Sequence, residues 1–181
     1  MPSDGVAQLR EFDAMLLGAL GDPGPLEDPS RFVLSDSVSL APLLALRKQL
    51  DLWACERPAR WLPGSPQYLA DPRAREGDML VIRENSEGEY SGQGGRLAPG
   101  TAQEVATQVE VFTARATERL IRHAFQRARQ RATQREMPRQ FKDDKHAQVC
   151  LITKRNAQPF WGDLYTDTFH RIAAEFPDVD I

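Results

Sequence analysis

Apolar residues in this chain fall in short dense runs, separated by stretches rich in Gly, Pro, Asp and Ser, and each run has its own period. Residues 12–20 (FDAMLLGAL) are nearly all apolar and stop at Gly21-Asp22-Pro23, which predicts a buried parallel strand running into a loop over 21–37. In 42–54, Leu43, Leu46, Leu50 and Trp53 recur at helical spacing, with Pro42 suited to a first turn. Strands are predicted over 55–62, closed by Pro63-Gly64, and over 78–83. Val105, Thr107, Val109 and Val111 alternate strictly, as in a half-buried strand with one wet face, and with 89–97 they make a two-stranded arm. A long helix is predicted over 114–135, its stripe formed by Ala116, Leu120, Ala124 and Arg127 beside Ile121 and Phe125. The polar stretch 131–146 reads as a frayed helix end and surface loop. A third buried strand over 147–153 and a last helix over 163–176, before Pro177, complete the pattern.

Strands alternating with helices across long connections specify an α/β fold with a largely parallel sheet. At 181 residues the chain fits one domain or part of a larger one. Apolar residues at 41% and charged residues at 27% support a packed core rather than disorder. A net charge of −3 gives the molecule no electrostatic reason to seek nucleic acid or anionic lipid. The arginines from Arg115 to Arg135 fit the solvated face of an amphipathic helix better than an RNA-binding surface. The longest apolar run, 14–20, is too short to span a membrane, and Met1-Pro2-Ser3-Asp4 opens no signal peptide, so a cytoplasmic protein is expected. Cys55 and Cys150 sit in apolar runs without a C-x-x-C, which predicts buried free thiols. His123, His146 and His170 are spaced for no zinc motif.

The segment VIRENSEGEYSGQGG, residues 81–95, starts as a strand and then fills with acid, glycine and one tyrosine. Arg83 stands at the strand's end; Arg47 lies on the first good helix and Arg57 on the strand after it. A guanidinium holds a carboxylate bidentately, which a lysine cannot match, so three such forks at the ends of adjacent elements suit a small multiply charged acid. From spacing alone, surface or salt-bridged arginines are the commoner reading of such a set. Tyr90 sits on a Gly-rich turn that can present its hydroxyl to a cleft, or simply reach for water. Lys154 ends an apolar strand, where partial desolvation lowers an ammonium's pKa toward use as a base, or where the side chain snorkels.

Three stretches occur in order: LRKQLDLWACERPARWLPG (46–64), RENSEGEYSGQGGR (83–96) and TKRNAQ (153–158). Together they resemble the β-decarboxylating dehydrogenases of the isocitrate/isopropylmalate dehydrogenase family. DGVAQLREFDAMLLGALGDPG (4–24) and VEVFTARATERLIRHAF (109–125) extend the similarity, most strongly toward tartrate dehydrogenase/decarboxylase. The resemblance implies that Arg47, Arg57 and Arg83 grip the carboxylates of a small 2-hydroxy acid and that Tyr90 protonates the enolate left after loss of carbon dioxide. It implies Lys154 as the base that takes the hydroxyl proton, acting across a dimer, and Asn156 as a contact of the nicotinamide end of NAD.

The same resemblance implies Mg²⁺ or Mn²⁺ held by aspartates in a Gly-Asp-Ile-x-Ser-Asp stretch, and a glycine-rich loop for adenosine, neither of which occurs in residues 1–181. Its opening Gly-Asp-Gly-Ile-Gly turn is also missing. The expectation is therefore a single truncated domain, 1–181, with an incomplete isopropylmalate dehydrogenase-like fold, a β-arm at about 89–113, no metal site of its own and no turnover alone. The alternative is a non-catalytic acid-binding or dimerisation partner of a full-length paralogue, as a homodimer or a heterodimer with a longer relative. Arg155 replaces a serine of the pattern, Glu56 an apolar residue, and 131–146 holds an insertion. Asp178 and Asp180 read as solvated acids rather than replacement ligands.

Overall fold

A computed structural model describes residues 4–18, 38, 40–133, 147–150 and 159–181. The chain divides into two units, 1–53 and 54–181.

In the first unit, α1 (Gly5–Leu9) buries Gly5 and Val6, and α2 (Ala41–Gln49) carries Pro42 in its first turn and buries Leu46. The Arg10 guanidinium donates to the Gln49 carbonyl and joins the ends of the two helices. No strand forms over residues 12–18: the segment is turn and irregular chain, with Leu16 wholly exposed. The reason is pairing. A strand's backbone groups need a neighbour, and among the described residues no strand lies beside this one. The predicted loop 21–37 lies outside the described residues.

The second unit begins with β1 (Ala54–Arg60) and β2 (Asp78–Glu84), antiparallel from Ala54 opposite Glu84 to Arg60 opposite Asp78. β3 (Gly88–Leu97) and β4 (Val105–Val111) form a second antiparallel pair. Among the described strands only β5 (Ala147–Gln148) and β6 (Val179–Asp180) run parallel, extended by a 2.9 Å bond from the Val149 N–H to the Asp180 carbonyl. The largely parallel sheet expected from the sequence is thus not what the described strands make. Parallel neighbours need a crossover, usually helical, whereas 61–77 holds only a 3₁₀ turn (Pro72–Glu76) and 98–104 is a short connection.

Two long helices supply the core. α3 (Ala114–Thr133) and α4 (Pro159–Ala173) bring Ile121, Phe125, Phe169 and Ile172 together with Phe176 and Val179. Ile121 and Phe125 are four apart on one face of α3, and Phe125 lies 5.5 Å from Phe169 and 5.3 Å from Phe176 between ring centroids. Each such burial stabilises by about 1.5–3 kcal/mol. Arg122 then bridges Glu118 (3.1 Å) and Glu175 (2.6 Å), tying α3 to the chain just after α4. α4 starts four residues before the predicted 163, because Pro159 lacks only an N–H that a first turn leaves unpaired anyway.

One face of β1–β2 turns toward α3. Glu56 accepts from Arg127 (3.0 Å) and sits 2.7 Å from His123 Nε2, while Asp78 lies between Arg60 (2.8 Å) and Arg131 (3.0 Å). The acid at position 56, unusual for the pattern the sequence resembles, therefore has two basic partners on α3. β4 is exposed along nearly its whole length, on both faces, with Val105 at 49% and Val109 at 51%, in contrast to the half-buried strand its alternation predicts. Alternation fixes which residues share a face, not whether anything covers that face. Cys55 is half-buried and Cys150 exposed, so the expectation of two buried thiols fails for Cys150, whose neighbourhood is the edge of a two-residue strand pair. No helix among the described residues is long and apolar enough to cross a membrane.

Candidate functional site

Antiparallel register decides which side chains share the open face of β1–β2. Arg83 stands opposite Cys55, and Arg57 opposite Val81, so both arginines lie on the face away from Glu56 and Asp78. Diagonal neighbours of this kind are about 7–8 Å apart, within reach of two long side chains. Arg57 is exposed and its Nε donates to Cys55 Sγ at 3.3 Å.

Beyond Arg83 the chain turns sharply. The Glu84 carboxylate accepts from the Ser86 N–H (2.9 Å), the Ser86 hydroxyl (2.7 Å) and the Glu87 N–H (2.7 Å), and Arg119 donates to Ser86 Oγ at 3.2 Å. Gly88 has φ +70°, a left-handed conformation costly for other residues, and a Cβ there would meet the Phe112 ring at 3.4 Å. The turn brings Tyr90 back to Arg83. Arg83 Nη2 donates to the Tyr90 hydroxyl at 2.8 Å, its guanidinium carbon lies 5.3 Å from the ring centroid, and the Glu89 carboxylate is 3.9 Å away. The Tyr90 hydrogen bond first, then the charge of Glu89, raise the Arg83 pKa against the opposing effect of burial. The guanidinium stays charged across the working pH range.

Arg83 and Tyr90 open on a cavity of about 170 Å³. Its apolar walls are Phe112, at the end of β4, and Tyr165, from α4, packed edge to face with centroids 6.2 Å apart. Burial raises the Tyr165 pKa, and the charges of Glu84 and Glu87 add to it, so this phenol stays protonated. Glu84, Glu87, Glu89 and Glu110 also line the cavity, so a small organic anion here depends on the Arg83 fork and the Tyr90 hydroxyl against four nearby carboxylates.

Of the residues singled out in the sequence, the fold brings Arg83 and Tyr90 into direct contact and puts Arg57 on the same ribbon face. Arg47 lies half-buried in the last turn of α2, in the other unit. Lys154 and Asn156 lie outside the described residues. Glu87, Phe112 and Tyr165 were not anticipated. Phe112 ends an alternating strand and carries a weak signal of its own, but nothing in the spacing joins Tyr165 to a turn so far upstream.

A divalent metal does not fit the described residues, which gather no group of three or more His, Cys, Asp or Glu side chains. Asp178 is held instead by Arg129, whose Nε donates at 2.7 Å and whose Nη2 reaches the second oxygen. Arg129 also stacks over Phe176 at 4.6 Å, which makes Asp178 part of the packing around the core.

The whole chain, residues 1–181, matches the isocitrate/isopropylmalate dehydrogenase family, and it belongs to that family. It is 40% identical over 182 residues to a 3-isopropylmalate dehydrogenase of Mycobacterium ulcerans, covering 100% of this chain and 47% of the relative. It is 36% identical over 180 residues to a "Probable tartrate dehydrogenase/decarboxylase" of Agrobacterium vitis, covering 99% and 44%. A crystal structure of isocitrate dehydrogenase from Methylococcus capsulatus superposes with a TM-score of 0.69 at 24% identity, over 99% of this chain and 44% of that one, and shows the shared fold. The chain spans about half the length of the curated relatives it matches.

Proposed function

We propose that this chain carries the acid-binding part of an NAD- and divalent-metal-dependent oxidative decarboxylase acting on a 2-hydroxy acid of the tartrate, malate or isopropylmalate type. The observation that carries the reading is the 2.8 Å bond between Arg83 and Tyr90 beside a small cavity. Arg83 holds a substrate carboxylate in its fork, with Arg57 on the same ribbon face as a further cationic partner. A phenol oxygen that accepts from a guanidinium still has its own proton to give, and Tyr90 gives that proton to the enolate carbon after carbon dioxide leaves. Lys154 is the base for the hydroxyl proton, serving the partner subunit's site, and Asn156 touches the nicotinamide end of the cofactor. In such an enzyme a metal would supply Lewis acidity and NAD would accept the hydride; no group among the described residues would hold the metal.

A second reading has its own support. Leu97, Val105 and Val109 leave the β3–β4 ribbon with exposed apolar side chains, 71%, 49% and 51% accessible, which favours pairing with another chain. The protein then acts as an acid-binding or dimerisation partner of a longer relative and needs no turnover of its own.

Titration calorimetry with tartrate, malate and isopropylmalate separates these readings from a chain with no acid site. Binding by wild type and a roughly tenfold loss in Arg83→Lys, which keeps the charge and loses the fork, is the expected result. Equal affinity in the two proteins removes Arg83 from the site.

A further inference from the structure

Tyr90 lies where the sheet does least to hold it. Between Gly88, opposite Val111, and Gln93, opposite Val109, five steps of β3 are matched by two of β4. The excess is a bulge, and a bulge re-aims a side chain at the cost of ladder bonds. Tyr90 is inside it, so its position depends on bonds from outside the ladder.

One set of these begins at Glu87, at the foot of the bulge. Its carboxylate accepts from the Thr113 N–H at 2.8 Å and from the Thr113 hydroxyl at 2.7 Å. Thr113 is the N-cap of α3: its own hydroxyl accepts from the Ala116 N–H at 3.1 Å, and its carbonyl accepts from the Thr117 N–H at 3.1 Å. In a helix that caps itself fully, an acid three residues after the cap satisfies the cap's own N–H. That position is Ala116 here, which has no such group, and Glu87 fills the role from the tyrosine turn. Its negative charge also suits the positive end of the helix dipole. Downstream, Ser91 Oγ donates to the Val109 carbonyl at 3.0 Å and Gln108 Nε2 to the Glu89 carbonyl at 3.2 Å, closing the bulge from the β4 side.

We infer that Glu87 is a positioning residue for Tyr90: by completing the N-cap of α3 it anchors the bulge that sets the tyrosine hydroxyl against Arg83. The inference rests on the reading of Tyr90 as the proton donor for its functional meaning, but not for its geometry. A merely structural cap holds α3 and leaves Tyr90 where it is; a positioning residue moves Tyr90 when it is cut.

The full chain labelled with ¹³C-tyrosine distinguishes the two, the Tyr90 ring signal being assigned by its loss in Tyr90→Phe. Glu87→Ala is expected to shift and broaden that signal without ligand, and to weaken acid binding about tenfold. Glu87→Gln retains a carbonyl oxygen for the Thr113 N–H and is expected to restore the signal and most of the affinity. Thr113→Ala, which removes the hydroxyl and keeps the N–H, is expected to give a smaller shift in the same direction. An unmoved Tyr90 signal in Glu87→Ala overturns the inference, whatever happens to stability. Should Glu87→Ala not fold, an unmoved signal in Thr113→Ala overturns it instead. Absence of acid binding in wild type sinks the functional reading alone, because the Tyr90 signal is read without acid.

Discussion

Arg83 and Asp78 stand at opposite ends of one strand and show two fates of charge at the scale of single residues. Arg83 faces the open side and meets a hydroxyl and an exposed acid; Asp78 faces α3 and is only 12% accessible. Burial pushes the Asp78 carboxyl up, but hydrogen bonds and charge from Arg131 and Arg60 outweigh it and hold its pKa below the usual carboxylate range. A folded pKa below the unfolded one contributes stability that is fully present above about pH 3.9 and fades as pH falls toward the folded value. Asp78→Asn is therefore expected to lower the melting temperature at pH 6 and to flatten its fall between roughly pH 4 and 2. A parallel downward shift of both limbs, followed by circular dichroism, would place the acid sensitivity elsewhere. The Arg83–Tyr90 contact was within reach of the sequence because the two stand seven residues apart across one turn, while the roles proposed for them came from the family resemblance. Glu87 was visible only as one acid among several, since its partner Thr113 comes from the far end of the next ribbon.

At the scale of elements, periodicity located most of what forms and misjudged what covers it. α3 starts where predicted and is described to Thr133, because a self-bonded element needs only its own apolar stripe, here centred on Ile121 and Phe125; residues 134–135 of the predicted helix lie outside the described residues. β1, β2 and β4 also lie within a residue or two of prediction, but strand direction depends on what joins the strands, and an apolar run does not encode it. The run 12–20 is the instructive failure: its composition is that of a buried strand, yet no described strand pairs with residues 12–18. The β3–β4 ribbon carries the prediction at this scale. Its exposed Leu97, Val105 and Val109 are expected to drive self-association, with sedimentation velocity showing a dimer at tens of micromolar. Val109→Lys is expected to shift the population to monomer, because a charge on the ribbon face opposes apolar pairing. A monomer for wild type at every concentration would contradict the ribbon's role.

The whole molecule joins a family-level identity to a span of about half its relatives' length, so its chemistry is judged best by what residues 1–181 hold in place. Motif order across the chain was legible in the sequence, and the family match confirms that reading over all 181 residues. Illegible were the cavity's far wall, supplied by Tyr165, and the burial of Asp78 under α3, both products of long-range packing between α3 and its neighbours. The central claim is that Arg83 and Tyr90 are the two groups that meet a 2-hydroxy acid. Its most direct test is a crystal structure of the chain with tartrate or isopropylmalate bound. The account predicts a carboxylate in the Arg83 fork at about 2.7–2.9 Å, with the Tyr90 hydroxyl within hydrogen-bond distance of the acid. An acid bound elsewhere, with Arg83 still engaged only by Tyr90, would contradict it.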